Sequence, residues 1–362
     1  MRSRPRPFAT PVLALAVSLC MPLTMLPAQR GAPSRYFRAD SFFVREWIRG
    51  GTREPDLLVE PRELAVTRST VIVLDMGTRE VHALDIASGA TRFVLKPTGE
   101  GPGEFRRPIH IATTPQLLGV LDAATSRLTV YSELGRYLWT THIADGAAVE
   151  SMCLLPRGVL RVKYIGAANA IATIDSAGTM LSRTSLPVRR ELQHAPSFAN
   201  SAFVADGCTS SAMAVMPYFG GVWYSVAPNG MARRLPYREA GRDAIVATSR
   251  TRRERVGSTA ISRSTMTTDV DAITRGAAQL GDTLIVEAGG TRLLPNQLLD
   301  YYRAATGEYL YSRRLPFTPN AVALAANGQL YLTNIGPETS SIVRLSTTTR
   351  TPREITRQKP RK

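Results

Sequence analysis

Histidine and cysteine are scarce in this chain, with four and three among 362 residues. Their spacing matches no His/Cys metal cluster, so a structural zinc site of that kind is excluded. There is no Gly-x-Ser-x-Gly nucleophile elbow and no P-loop. The pair Gly99-x-Gly101 lacks the further glycine and the helix that a dinucleotide loop requires. Acid is short as well: 29 Asp+Glu face 45 Lys+Arg, for a formal charge of +16, and few of the cations are lysine. After the first 28 residues no apolar run reaches the length of a membrane-spanning helix, so no transmembrane span is expected in the mature chain.

What is present begins with an export signal. Arg2, Arg4 and Arg6 precede an apolar run from Pro11 to Leu26, and Leu26-Pro27-Ala28 offers a cleavage site before Gln29. Residues 1–28 therefore read as a signal peptide and 29–37 as a leader, which places the protein in the periplasm or outside the cell. Leu19 before Cys20 argues against lipid anchoring, because lipidation sites want a small residue there. Cys153 and Cys208 remain in an oxidising compartment, where they either form a disulfide or stay as two buried thiols. The end from 350 to 362 carries six cations against Glu354 and reads as a disordered basic tail.

Between these ends the chain is strand-like. Glu63–Val66, Thr70–Leu74, Val81–Leu84 and Thr91–Leu95 are four short strands separated by turns. Leu117–Leu121 and Leu128–Tyr131 repeat the pattern, with Asp122 after Asp75 and Gly135 after Gly89 at blade-sized spacing. Further copies follow around Val159–Ile174, Ala212–Val226, Thr283–Tyr302 and Gln329–Leu345. The reading is all-β: a six-bladed β-propeller with four-stranded antiparallel blades over residues 38–349, with an insertion at about 239–268. Phe42–Ile48 has no blade of its own and is expected to close the last blade as an outer strand, because ring closure removes free sheet edges.

The connector Gly99-Glu100-Gly101-Pro102-Gly103-Glu104-Phe105-Arg106-Arg107-Pro108 and the following Ile109–Ala112 resemble the inter-repeat junction of NHL-type propellers. The strand-Asp-turn-strand segment Val71–Leu84 is similar to the core of that repeat. The resemblance is closest over residues 61–135 and implies an exported bacterial six-bladed propeller without implying an activity. Physical reasoning gives the connector a structural role by itself. Its glycines permit unusual backbone angles, Phe105 anchors it between blades, and Glu100 and Glu104 bond backbone amides or pair with Arg106 or Arg107.

Candidate chemistry is thin. His110 falls at the start of an inner strand, where it lines the channel; His82 and His142 belong to strands as packed or surface residues, and His194 lies in a polar loop. A calcium-type site would need convergent oxygens, and Asp75, Asp122, Asp175, Glu287 and Asn334 are the set to consider. Their places in the repeat suit turn capping better. No catalytic, metal or cofactor-binding residue is assigned, and no cofactor is expected. Arg250, Arg252, Arg253 and Arg255 crowd the insertion, read as a solvated loop or helix face, or as an anion- or partner-binding loop. That run contains no aromatic residue, so it offers no stacking platform for nucleic acid. The expectation is a monomeric binding or scaffold module meeting a protein or anionic envelope ligand at a propeller face. The alternatives are a metal-dependent hydrolase, lactonase or lyase, and an electrostatic binder of anionic envelope polymers.

Overall fold

The segment Thr-Val-Ile-Val-Leu-Asp over 70–75 is β-branched and apolar throughout, and all six of its residues are buried. A strand buried on both faces must lie inside a stack of sheets. The computed structural model describes residues 41–164, 170–185, 202–204, 213–217, 222–227, 229, 231–236, 247–256, 259–268, 274–291, 294–336 and 338–349. By its contacts the chain divides into Met1–Gly31 and Ala32–Lys362, and every described residue belongs to the second unit.

After β1 (Ser41–Gly50), the first blade is β2 (Pro61–Val66), β3 (Thr70–Asp75), β4 (Glu80–Asp85) and β5 (Thr91–Leu95). The second is β6 (Pro108–Thr113), β7 (Leu117–Asp122), β8 (Arg127–Ser132) and β9 (Tyr137–His142). The third is β10 (Val149–Leu154), β11 (Leu160–Tyr164), β12 (Ala170–Ile174) and β13 (Met180–Ser185). The fourth is β14 (Ala202–Val204), β15 (Met213–Pro217), β16 (Val222–Val226) and β17 (Ala232–Pro236). A separate two-stranded sheet follows, β18 (Ala247–Val256) with β19 (Thr259–Thr268). The fifth blade is β20 (Thr274–Leu280), β21 (Thr283–Thr291), β22 (Leu294–Arg303) and β23 (Tyr309–Arg314). The sixth is β24 (Ala321–Leu324), β25 (Leu330–Ile335) and β26 (Ser340–Thr349), with β1 as its fourth strand. The protein is a six-bladed β-propeller of four-stranded antiparallel blades.

The predicted closure is present. β1 lies antiparallel to β26, with Ser41 opposite Thr349 and Gly50 opposite Ser341. Blade six is thus stitched from two distant parts of the chain. It is tied to blade one by Tyr331 Oη donating to the Ile86 carbonyl (3.1 Å), Ser340 Oγ to the Val59 carbonyl (2.7 Å) and Arg344 to the carbonyls of Ile86 and Ala87.

The core is a ring of seams. Six apolar clusters each lie between two neighbouring blades, from the Ile72–Phe105–Val120 seam of blades one and two to the Val71–Ala323–Tyr331 seam that joins six to one. Burial falls outward within a blade: β7 and β8 are nearly enclosed, whereas Tyr137 and Leu138 of β9 are exposed. The inner strands β2, β6, β10, β14, β20 and β24 pack in succession around the axis, and β24 returns to β2.

The connector has the expected anchor. Phe105 is buried between blades one and two, worth about 2 kcal/mol as a fully buried aromatic. Glu104 accepts from the Gly101 N–H (2.8 Å), and Glu100 pairs with Arg106 (2.6 Å). Of the three glycines only Gly103 needs a left-handed backbone, at φ 76°. Gly101 serves a close approach: a Cβ there would stand 2.9 Å from the Glu104 carboxylate.

The Arg-rich insertion differs from expectation. Its strands Ala247–Val256 and Thr259–Thr268 pair antiparallel, with Arg250 opposite Thr265, Arg252 opposite Arg263, Arg253 opposite Ser262 and Arg255 opposite Ala260, so the arginines lie on a strand and not on a loop or helix. The physical reason is the supply of β-branched residues, Thr248, Thr251, Val256, Thr259, Ile261, Thr265 and Thr267, between the arginines.

Candidate functional site: the two ends of the channel

Each inner strand of blades one, two, three and five opens on a register irregularity, between Pro61 and Glu63, Pro108 and His110, Val149 and Ser151, and Thr274 and Gly276. An extra residue of this kind twists the strand and re-aims its neighbours. It sets Glu63 and His110 at equivalent places on adjacent strands.

His110 Nδ1 meets Glu63 Oε1 at 2.5 Å, and Nε2 meets the Val149 carbonyl at 3.0 Å. One imidazole thereby joins three consecutive inner strands. Glu63 Oε2 accepts from the Ile111 N–H (2.9 Å). Both ring nitrogens of His110 then face oxygen atoms, an arrangement that the doubly protonated ring satisfies. Burial pulls its pKa down, but the Glu63 charge and hydrogen bond, the Val149 carbonyl and the Glu150 charge outweigh that and raise it. Next to Val149, Glu150 pairs with Lys163 of β11, whose side chain is fully enclosed. Burial lowers the Lys163 pKa, against the pull of Glu150. This end of the channel is a bound network of alternating charge.

The sequence singled out His110 but missed Glu63, Glu150 and Lys163. Superposing the repeats on Pro61 and Pro108 aligns Glu63 with His110, and that alignment was the available signal. The carboxylates considered as metal ligands act otherwise. Asp75 accepts from the N–H groups of Val59 (2.6 Å), Glu60 (2.8 Å) and Gly77 (2.9 Å). Asp122 accepts from those of Arg107 (2.8 Å) and Ala124 (3.0 Å) and from Thr125 Oγ1 (2.9 Å). Asp175 accepts from Ala177 and Thr179. Each caps a turn, and the first two also hold the connector that enters their own blade. Glu287 is buried on β21 opposite Gly276, and Asn334 stands on β25 opposite Ser341. Among the described residues no group of three or more His, Cys, Asp or Glu side chains converges.

Of the remaining singled-out residues, His82 is buried in β4, 3.3 Å from Glu80, and burial lowers its pKa. His142 is exposed. Cys153 is buried between blades three and four and is disulfide-bonded. Cys208, His194, the N-terminal signal and the basic tail lie outside the described residues. Among the described residues no helix is long and apolar enough to cross a membrane.

The opposite end of the channel is open. A cavity of about 720 Å³ lies where the inner strands finish, walled by the ends of β2, β6, β10, β20 and β24 and the turns after them. Leu154, Leu280, Leu324 and Ala325 supply apolar surface, and Thr67, Thr113, Thr114 and Gln279 supply hydroxyl and amide groups. Arg68 is the one charged residue among the described lining residues, which include no carboxylate, imidazole or thiol. His110 sits three residues before Thr113, about 10 Å farther along the strand at the usual rise.

No family model matches the chain, and no curated protein matches it. Among solved structures it is similar to a "Putative exported protein" from Bacteroides fragilis, at 10% identity and TM-score 0.50, covering 89% of this chain and 98% of that one. It is also similar to virginiamycin B lyase from Staphylococcus aureus, at 9% identity and TM-score 0.48, covering 85% and 89%. BamB from Moraxella catarrhalis matches at 12% identity and TM-score 0.36, covering 78% and 71%. At these identities the likeness speaks to the fold alone.

Proposed function

We propose that this chain is an exported, non-catalytic propeller that works as a binding or scaffold module, holding a protein or envelope ligand at one propeller face. The observation that carries this reading is the lining of the channel-mouth cavity. Its described residues offer apolar, hydroxyl and amide groups without an acid–base pair, which suits recognition better than bond breaking. The charged groups at the other end are engaged with one another, as a structural network would be. The NHL-like connector, the signal peptide at 1–28, monomeric assembly and periplasmic or extracellular placement belong to the same proposal. So do a Cys153–Cys208 disulfide and a second, anionic contact at Arg250, Arg252, Arg253 and Arg255.

The test is affinity capture from the cell envelope, with the mature chain as bait and the cavity blocked by Gln116→Trp at an exposed lining position. The expected result is a partner held by the wild type and lost from the variant at unchanged melting temperature. Equal capture by both would defeat the assignment to this face. The disulfide is checked separately: Cys208→Ala should destabilise the chain by about 4 kcal/mol in denaturant unfolding, by the loop-closure relation for a span of this length. An unchanged midpoint would remove that pairing.

A further inference from the structure

Six of the nine large apolar side chains left exposed among the described residues occupy one repeated place. They are Leu134, Tyr137 and Leu138 of blade two, Met180 and Leu181 of blade three, and Met231 of blade four. Each stands in, or directly after, the turn that leads into the outermost strand. Leu134, Leu181 and Met231 are 57%, 58% and 70% exposed, so more than half of each faces water. Within a blade the inner strand finishes at the cavity, the second runs away from it and the third returns. The turn into the fourth strand therefore lies on the cavity side. Blades repeat by rotation about the channel axis, and rotation preserves height along that axis, so the three corners share one plane.

Cations accompany these corners. Arg136 of blade two and Arg233 and Arg234 of blade four are exposed and enter no ion pair among the described residues. The acids alongside are engaged within the fold: Glu133 accepts from Ser69 Oγ (3.3 Å), and Asp175 caps its turn. Blades one and five are built differently at the same corner. Arg92 pairs with Asp85, Arg303 pairs with Glu308 (3.0 Å), and Tyr309 and Leu310 are half-buried. One side of the ring is thus polar and self-paired, and the other presents apolar tips beside unpaired cations.

We infer that the outer corners of blades two, three and four rest on an anionic lipid surface. The apolar side chains enter the headgroup and acyl boundary, and the arginines meet lipid phosphates. A protein partner would ask for continuous apolar area, whereas these tips are set a blade apart and at one height, which suits a flat and fluid surface. Tyrosine, leucine and arginine together are also the residue mix of a membrane interface. This goes beyond the binding-module reading and is independent of what fills the cavity.

The experiment floats the mature chain with vesicles of mixed phosphatidylethanolamine and phosphatidylglycerol, and separately with phosphatidylcholine vesicles. Binding to the anionic vesicles should be about tenfold tighter than to the neutral ones. Leu138→Gln and Leu181→Gln should each weaken it about tenfold, and Arg136→Gln about fivefold. All three positions are exposed, so melting temperatures should not change. Leu181→Trp keeps the apolar tip and should move its fluorescence to shorter wavelength on the anionic vesicles. No binding, equal binding to both vesicles, or an unmoved Leu181→Trp emission overturns the inference. Binding kept by the leucine variants and lost in Arg252→Gln with Arg253→Gln also overturns it, in favour of the β18–β19 sheet. Self-association abolished by the leucine variants, without vesicle binding, overturns it in favour of a second copy of this chain. Capture lost in Gln116→Trp without vesicle binding defeats this inference alone. Vesicle binding with capture unchanged by Gln116→Trp defeats the cavity reading alone.

Discussion

Where the inner strands begin, Glu63, His110, Glu150 and Lys163 form hydrogen-bonded pairs across three blades. Where the same strands finish, Arg68, which enters no ion pair among the described residues, helps to line a largely apolar cavity, and Gln279 has an enclosed side-chain oxygen without a partner. The first end has the residue types usually sought in an active site, and each has a partner within the fold. The second end has residue types that attract little notice, yet it has volume. A catalytic-looking side chain is thus weak grounds for function until its partners are counted. Open space lined by apolar, hydroxyl and amide groups is the stronger sign of a ligand.

The contrast can be broken from the charged end, where the largest effects belong. Glu150→Gln breaks the ion pair with buried Lys163 and should cost about 3–5 kcal/mol in urea unfolding. Adding Lys163→Met should recover most of that loss. If the double variant is as unstable as the single one, the penalty does not come from the buried charge of Lys163.

Next in size are Glu63→Gln and His110→Gln, each expected to lose about 1–3 kcal/mol near neutral pH through the severed inter-blade hydrogen bonds. The pH dependence sharpens this. Because the folded pKa of His110 is raised above 6.5, its stabilisation is complete below 6.5 and fades as pH climbs through the folded value. His82 has the opposite sign: its folded pKa is lowered, so stability falls as pH drops below 6.5 and the buried ring must charge. Unfolding midpoints measured across this range should lose their alkaline decline in His110→Gln and keep it in a His82 variant. A wild type with no alkaline decline would remove the charged imidazole from the account.

The smallest effect belongs to the open end. Arg68→Gln should change stability by less than about 0.5 kcal/mol, as an exposed side chain without an ion pair among the described residues. A larger loss would mean that Arg68 supports the fold and would weaken the comparison.

The blade period was legible because turn chemistry and burial repeat together. Asp75 and Asp122 return at the ends of equivalent strands for the same physical task, capturing the backbone of the connector that enters their blade. Phe105 was legible for a related reason: a lone aromatic in a Gly/Pro stretch has to be packed somewhere. The hairpin at 247–268 was harder to see, since its arginines mask the alternation of threonines that makes a strand. The Glu63–His110–Val149 link was half legible: the repeat alignment places Glu63 beside His110, but the one-residue irregularities that bring the three segments into register leave no mark in the sequence. The cavity lay beyond pattern reading altogether. Its described wall is assembled from the ends of β2, β6, β10, β20 and β24, which meet only when the ring closes.

The position of β1 has a consequence for how the protein is made. During synthesis β1 emerges early, while its partner β26 follows nearly 300 residues later. Through that interval β1 has no sheet to join, and β26 on arrival offers an open edge that any copy of β1 can fill. Closure within one chain must outrun exchange between chains, and dilution favours it because only exchange depends on concentration. Crowded refolding therefore favours rings that trade their first strand, with every blade intact and two molecules joined.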